Sequence, residues 1–309
     1  MSTSEIIAPT SPRPTTRPYV IHRCFRKKYN KSVIGLGFFD GVHKGHQKII
    51  EEVKKISESK NIESSIFTFS SPIRKLFNKE FYGEITPLEY KLKIFEKLGV
   101  DICYVLEFNE EISKLSKEEF ICKILDNLNI DDIVCGSDYR FGYKASGDIY
   151  FLKEKYNVHV VDFINSNGSK ISSSTIINLI RDGEIGLVNL LLGRLYFIES
   201  KVVKGLGNGS KIGFPTANIN SNGFVLPKNG VYKVEVEIGN EKYDGICNVG
   251  IHPTISKLDE PIVEVLIKDF KEDIYSKNIK VNFVSFIRDE IKFNDTKELA
   301  KQISIDLTK

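Results

Sequence analysis

SVIGLGFF at residues 32–39, HQKIIEEVKKI at 46–56 and SSIFTF at 64–69 decide the architecture of the first half of this chain. The first and third are short runs of β-branched and aromatic residues. The second spaces its apolar residues at helical intervals, the mark of a helix with one buried face. The alternation continues through LEYKLKIFEKL (88–98), DICYVLEF (101–108), EEFICKILDNL (118–128), DDIVC (131–135) and VHVVDF (158–163). Strands alternating with helices of this length predict an α/β domain, a doubly wound parallel sheet covered on both faces, with ligands at the carboxyl ends of the strands. The glycine-bearing loop after the first of these strands is therefore the first place to look for chemistry.

After Gly193 the texture changes. YFIESKVV (196–203), GVYKVEVEI (230–238), YDGICNV (243–249), PIVEVLI (261–267) and IKVNFVSF (279–286) are strand-like and separated by glycine and proline, and TKELAKQISIDL (296–307) closes the chain with helical spacing. This pattern predicts a small closed β-barrel with a terminal helix. The expected organisation is a flexible tail over 1–18, one domain over 19–186 and a second over 187–309. At 309 residues the chain has room for two such domains.

Composition narrows the function. Lysine and arginine total 44 against 41 acids, a net charge of +3 that does not hold a nucleic-acid duplex by bulk electrostatics, so no nucleic-acid partner is expected. No apolar run approaches the roughly 20 residues of a membrane span, so no membrane partner is expected either. Cys24, Cys103, Cys122, Cys135 and Cys247 are scattered without a C-x-x-C pair, which suits a reducing, cytoplasmic setting rather than a disulfide framework or structural zinc. The Ser-, Thr- and Pro-rich tail lacks the apolar stretch of a secretory signal. Its arginines Arg13, Arg17, Arg23 and Arg26, with Glu5 as the sole acid, leave an organellar transit segment as the alternative.

Gly37-Phe38-Phe39-Asp40-Gly41-Val42-His43-Lys44-Gly45-His46 ends a strand and opens a helix, so backbone N–H groups and the helix dipole point at whatever binds there. An anion is the natural guest. His43 and His46 can donate to phosphate oxygens, and Gly45 lets a ligand approach the backbone. A plain tight turn, or a histidine pair on a metal with further ligands elsewhere, are the alternatives.

This segment resembles the H-x-G-H nucleotidyltransferases and, more narrowly, the FMN adenylyltransferase module of bacterial bifunctional flavin-synthesis enzymes. The resemblance extends to Ile85-Thr86-Pro87-Leu88, Gly136-Ser137-Asp138-Tyr139-Arg140-Phe141-Gly142 and Ile171-Ser172-Ser173-Ser174-Thr175. It implies His43 and His46 as catalytic residues, and Gly37, Asp40, Gly41, Gly45, Asp138, Arg140, Ser172, Ser173 and Thr175 as ATP and phosphate binders. An N-cap role alone also explains one of the serines. Three positions depart from the family: Phe38 in place of Asn, Pro72-Ile73 in place of His-Pro, and Asn178 in place of Arg. They motivate a second expectation, a kinase-only enzyme with an impaired or regulatory N-terminal domain. Arg74, Arg140 and Arg181 are the candidates to replace the missing charge.

Lys204-Gly205-Leu206-Gly207-Asn208-Gly209-Ser210-Lys211-Ile212-Gly213-Phe214-Pro215-Thr216-Ala217-Asn218 is no Walker A loop, for the G-x-x-x-x-G-K-[ST] spacing is absent. Glycines that admit phosphates stand beside a hydroxyl and an amide oxygen suited to a hard cation. The run G-F-P-T-A-N resembles the signature of riboflavin kinases, and the likeness continues through Gly230-Val231-Tyr232, Asn248-Val249-Gly250, Pro253-Thr254, Glu264, Asp273-Ile274-Tyr275 and Phe286 to Phe293. It implies that Thr216 and Asn218 hold the metal. Gly205, Gly207, Gly209, Lys211, Gly213 and Pro215 line the nucleotide phosphates, Glu264 is the general base, and Arg288 and Glu290 border the flavin. The implied substrates are riboflavin, FMN and ATP, with Mg²⁺ as cofactor and FMN and FAD as products; the sequence leaves oligomeric state open.

Overall fold

The structure, a computed structural model, describes residues 20–24, 31–71, 81–162, 165–166, 169–204, 213–251 and 261–309. By their internal contacts they form two compact units, one of Met1–Phe81 with Thr86–Ile171 and one of Tyr82–Ile85 with Ser172–Lys309.

The first unit is built on a six-stranded sheet of β1 (Val20–Cys24), β2 (Ser32–Leu36), β3 (Glu63–Phe69), β4 (Ile102–Leu106), β5 (Ile130–Gly136) and β6 (Asn157–Val161), in the order β1-β4-β3-β2-β5-β6. The five strands from β2 to β6 are parallel, as the alternation predicts, and β1 pairs antiparallel at the edge, Val20 opposite Leu106. Every residue of β2 is buried, which is why this central strand reads as a nearly continuous apolar run. Its two faces belong to different cores: Val33 packs with Val53, Leu92 and Phe95 on one side, Ile34 and Leu36 with Phe67, Phe120 and Leu152 on the other. The helices are α1 (Lys44–Lys60), α2 (Leu88–Lys97), α3 (Glu110–Ser113), α4 (Lys117–Lys123) and α5 (Ile149–Lys153). The helical stretch read at 118–128 breaks after α4 into a 3₁₀ turn, Leu125–Asn127, and α4 itself starts from a Ser116–Glu119 capping box.

Because β2 lies between β3 and β5, the chain leaves it in one direction along the sheet and later returns on the other side. The loops after β2 and β5 therefore sit together at the topological switch point, where doubly wound sheets bind ligands.

The second unit contains α6 (Ser173–Asp182), α7 (Ile185–Leu192) and a closed barrel of β9 (Tyr196–Val203), β10 (Thr216–Asn220), β11 (Gly230–Ile238), β12 (Glu241–Ile251), β13 (Pro261–Ile267) and β14 (Asn278–Arg288); β7 (Asn165–Ser166) and β8 (Ser169–Lys170) form a separate short hairpin before it. Neighbours around the barrel run β10-β13-β12-β11-β14-β9, every pairing is antiparallel, and β9 pairs back to β10. Tyr232, Val234, Val236, Val249, Val263, Val265, Val281 and Phe283, all at most 1% exposed, fill the interior. Alternate residues must then point outward. Asn189 ties α7 to the barrel, donating to the Phe283 carbonyl at 3.0 Å and accepting from the Tyr196 N–H at 2.7 Å. The terminal helix α8 (Thr296–Asp306) is capped by Asp295, and its Ile303, with Leu307 just beyond it, packs on Val231, Ile246 and Leu266 of the outer face. Among the described residues no helix is long and apolar enough to cross a membrane.

Two candidate active sites

The loop after β2 is tightly wound. Phe39 (φ 57°), Gly41 (φ 80°) and Val42 (φ 41°) all take positive φ, so three residues of the unfavourable hand deliver the chain from the strand end to the start of α1. Asp40, 4% exposed, accepts a hydrogen bond from the Thr86 N–H at 3.0 Å, which ties in the Ile85-Thr86-Pro87-Leu88 segment. His43 is the N-cap of α1, and its Nδ1 accepts the His46 N–H at 3.3 Å. The two imidazoles stack at 3.6 Å, and Phe39 meets His46 edge-on at 5.1 Å. The glycines have local reasons. A Cβ at Gly45 would come within 3.1 Å of the His43 ring, and one at Gly37 within 2.9 Å of the Phe39 ring.

Burial, then the neighbouring His43, then Lys91 hold His46 well below the ordinary imidazole pKa, and its buried Nδ1 has no hydrogen-bond partner among the described residues. His46 is therefore a neutral ring with a polar atom turned away from water. Such an atom is suited to a ligand.

On the β5 side, Asp138 lies close over Gly136, where a Cβ would be 3.2 Å from its Oδ1. Arg140 is exposed and donates from Nη1 to Asp148 at 2.9 Å, while Asp148 caps α5. Ser172 is the N-cap of α6, accepting from the Thr175 N–H at 3.2 Å and sharing a 2.8 Å hydrogen bond with the Thr175 hydroxyl; Ser173 opens the helix. These hydroxyls belong to the second unit. Of the departing positions, Phe38 uses its carbonyl to accept from Thr68 Oγ1 and Lys91 Nζ, Asn178 is exposed, and Pro72, Ile73 and Arg74 lie outside the described residues. Arg181 stacks on the Tyr82 ring at 4.0 Å.

The barrel site is assembled by register. Asn218 on β10 lies opposite Glu264 on β13, Glu264 opposite Asn248 on β12, Asn248 opposite Val231 on β11, and Val231 opposite Arg288 on β14. Five strands thus contribute to one row. Val263 and Val265 face the interior, so Glu264 points outward, and Thr216 shares the face of Asn218 two residues along β10. Asn248 donates from Nδ2 to Glu290 Oε1 at 3.2 Å. Arg288 donates from Nε and Nη2 to Asp306 of α8 at 2.9 and 2.7 Å and from Nη1 to the Asp289 carbonyl, so its guanidinium pins the terminal helix beside the row. Gly213 has a left-handed backbone (φ 83°) and Pro215 is exposed. Gly205, Gly207, Gly209 and Lys211 lie outside the described residues.

One observation bears on a metal. Asn218 is 5% exposed, yet its Oδ1 has no hydrogen-bond partner among the described residues. A buried amide oxygen left without a donor is destabilising by about 1–3 kcal/mol unless something binds it. A neutral oxygen, a hydroxyl at Thr216 and a carboxylate in the adjacent strand make the oxygen-only donor set that a hard divalent cation takes.

Reading the sequence misses two members of these sites. Lys91 is fully buried beneath the first loop, where a lysine on an amphipathic helix ordinarily counts as solvated face. Asn248 enters the barrel row only through strand pairing, although it sits in a stretch of recognisable motif.

A helix-opening loop at the switch point of a parallel sheet, and a separate barrel face offering a carboxylate beside an orphaned oxygen, define the class: a transferase with two sites for phosphate chemistry. Comparison with known proteins makes it particular. The FAD synthetase family profile matches residues 25–175 and the riboflavin kinase profile residues 192–309. A bifunctional riboflavin kinase/FMN adenylyltransferase of Bacillus subtilis is 38% identical over 92% of this chain and 93% of its own length. One from Listeria monocytogenes is 37% identical over 89% and 90%. A solved structure from Streptococcus pneumoniae, described as a macrolide-efflux protein, matches with a TM-score of 0.83 and 30% identity over 91% of this chain and 93% of that one. The chain belongs to the bifunctional riboflavin kinase/FMN adenylyltransferase family. Both catalytic domains are present, which favours the two-activity reading over the kinase-only one.

Proposed function

We propose that the barrel phosphorylates riboflavin with Glu264 as general base, and that the α/β unit adenylylates the resulting FMN at the loop of His43 and His46. The observation that carries the barrel assignment is the row in which Glu264 stands directly between Asn218 and Asn248. Glu264 takes the proton of the terminal ribityl hydroxyl as its oxygen bonds the γ-phosphorus of ATP and ADP leaves with the electron pair of the broken bond. Thr216 and Asn218 are the residues that would hold Mg²⁺, which when bound neutralises charge on the phosphate oxygens. Asn248 steadies Glu290 at the flavin side, and Arg288 contributes by fixing α8.

In the α/β unit, His43 and the neutral His46 orient phosphate oxygens by hydrogen bonding. The backbone N–H groups of the loop from Gly37 to Gly45 present the positive end of α1. Asp40 holds the loop to Thr86. A phosphate oxygen of FMN attacks the α-phosphorus of ATP in line, and pyrophosphate departs with the bonding electrons. No covalent intermediate with the protein is needed. A cytosolic setting suits the buried thiols: burial pushes the Cys135 thiol up to about 12 and raises that of Cys247 further, so neither is a reactive nucleophile.

Purified protein incubated with riboflavin, ATP and Mg²⁺ should yield FMN and then FAD when the flavins are separated over time. FMN without FAD, even with FMN supplied, defeats the adenylyl-transfer assignment; no FMN defeats the kinase assignment. Chelation of divalent ions should stop FMN formation.

A further inference from the structure

Lys91 lies on the stripe of α2 that also buries Leu92 and Phe95, and it is 0% exposed. Enclosing an ammonium costs several kcal/mol unless it gains strong partners. Here Nζ donates to the Phe38 carbonyl at 3.0 Å and lies 4.1 Å from the centroid of the Phe38 ring. The same carbonyl accepts from Thr68 Oγ1 at 2.8 Å. Two donors therefore fix the peptide immediately before Phe39, whose left-handed backbone is unfavourable for a residue with a side chain by about 1–2 kcal/mol. Strained backbone held in this way at a strand end is a feature of sites that must keep one geometry.

We propose that Lys91 is a positioning residue for adenylyl transfer: anchored on the Phe38 carbonyl, it holds the turn that brings His43 and His46 to the carboxyl end of β2. This rests on the assignment of adenylyl transfer to that loop. The charge has a second effect. Among the described residues, the titratable and charged groups that face His46 are His43, at the cap of its own helix, and Lys91, from α2. Both disfavour an imidazolium, so Lys91 helps keep His46 neutral. It acts through the loop and through His46, and no contact with substrate is required of it.

The test uses the full chain and its two activities, with riboflavin phosphorylation as the report on folding. Lys91→Met should lower kcat for FAD formation from FMN and ATP by about tenfold or more, with less effect on the KM for ATP and with FMN formation retained. The acid limb of the pH profile for FAD formation should also move to higher pH, because without the cation His46 accepts a proton more readily. FAD formation close to wild type with an unmoved acid limb overturns the proposal. If the methionine variant loses both activities, Lys91→Gln decides. This variant keeps a donor but not the charge, so a shifted acid limb supports the proposal and an unshifted one overturns it. A wild-type chain that makes FMN but no FAD overturns the underlying assignment, a different result from an unimpaired variant of an active enzyme.

Discussion

The two sites are built by opposite means. In the α/β unit, His43, Gly45 and His46 are nearly contiguous, and the helix start itself sets their geometry. On the barrel, Asn218, Glu264 and Asn248 meet only because three antiparallel strands pair in one register, and a one-residue slip would turn each side chain inward. The first arrangement concentrates positive potential from backbone and a buried lysine. The second gathers neutral and anionic oxygens, the donor types that a hard cation takes. On the proposed assignments, a nucleotide is held by protein charge in one place and through a metal in the other.

If the sites are as separate as their construction, single substitutions should divide the activities. Glu264→Gln should reduce FMN formation by about 10²- to 10⁴-fold and leave conversion of supplied FMN to FAD unchanged, measured by flavin chromatography. His46→Ala should do the reverse, lowering FAD formation by about 10²- to 10³-fold with normal kinase rates. In the wild type, the depressed pKa of His46 keeps that ring neutral as pH falls through the ordinary imidazole value, so FAD formation should persist below about pH 6.5. A loss centred near that value would show that His46 does not control the limb.

The metal side of the comparison is sharpened by Asn218→Leu. Kinase activity should fall by about 10²-fold while unfolding stability, read from urea midpoints, rises by about 1 kcal/mol, because the substitution removes a buried oxygen without a donor. Equal loss of activity and stability would mean that Asn218 serves packing instead. Arg288→Met should leave Asp306 as a buried charge without its ion-pair partner, destabilising the barrel unit by about 3 kcal/mol in the same measurement. The smallest effect is expected from Gly250→Ala. Its Cβ would lie 2.5 Å from Glu290 Oε1, the movable end of a side chain, so a raised KM for riboflavin with nearly unchanged kcat is expected.

Much of this was legible in the sequence. The apolar continuity of SVIGLGFF fits a strand buried on both faces, and the alternation after it fits the five parallel strands found. The barrel follows from GVYKVEVEI and its neighbours, whose inward residues alternate as expected. Edge strand β1 was not legible, since VIHRC carries no alternation of its own and is specified by its pairing to β4. Lys91 was hidden for a different reason: its burial depends on the loop it supports, which lies far from it in sequence. The composition change at Gly193 marks where strands begin, whereas α6 and α7 group with the barrel through contacts that periodicity does not encode.

Residues Tyr82–Ile85 carry one further consequence. They belong to the barrel unit, where the Glu84 N–H donates to the Gly223 carbonyl at 2.8 Å and the Val225 N–H donates to the Glu84 carbonyl at 2.9 Å. During synthesis this short piece leaves the ribosome long before Gly223 and Val225 exist, so its hydrogen bonds wait until most of the chain has been made. A gene fragment beginning after Ile171 would encode every barrel strand and still lack that piece. The two enzymes are interlaced along the polypeptide, not simply placed end to end.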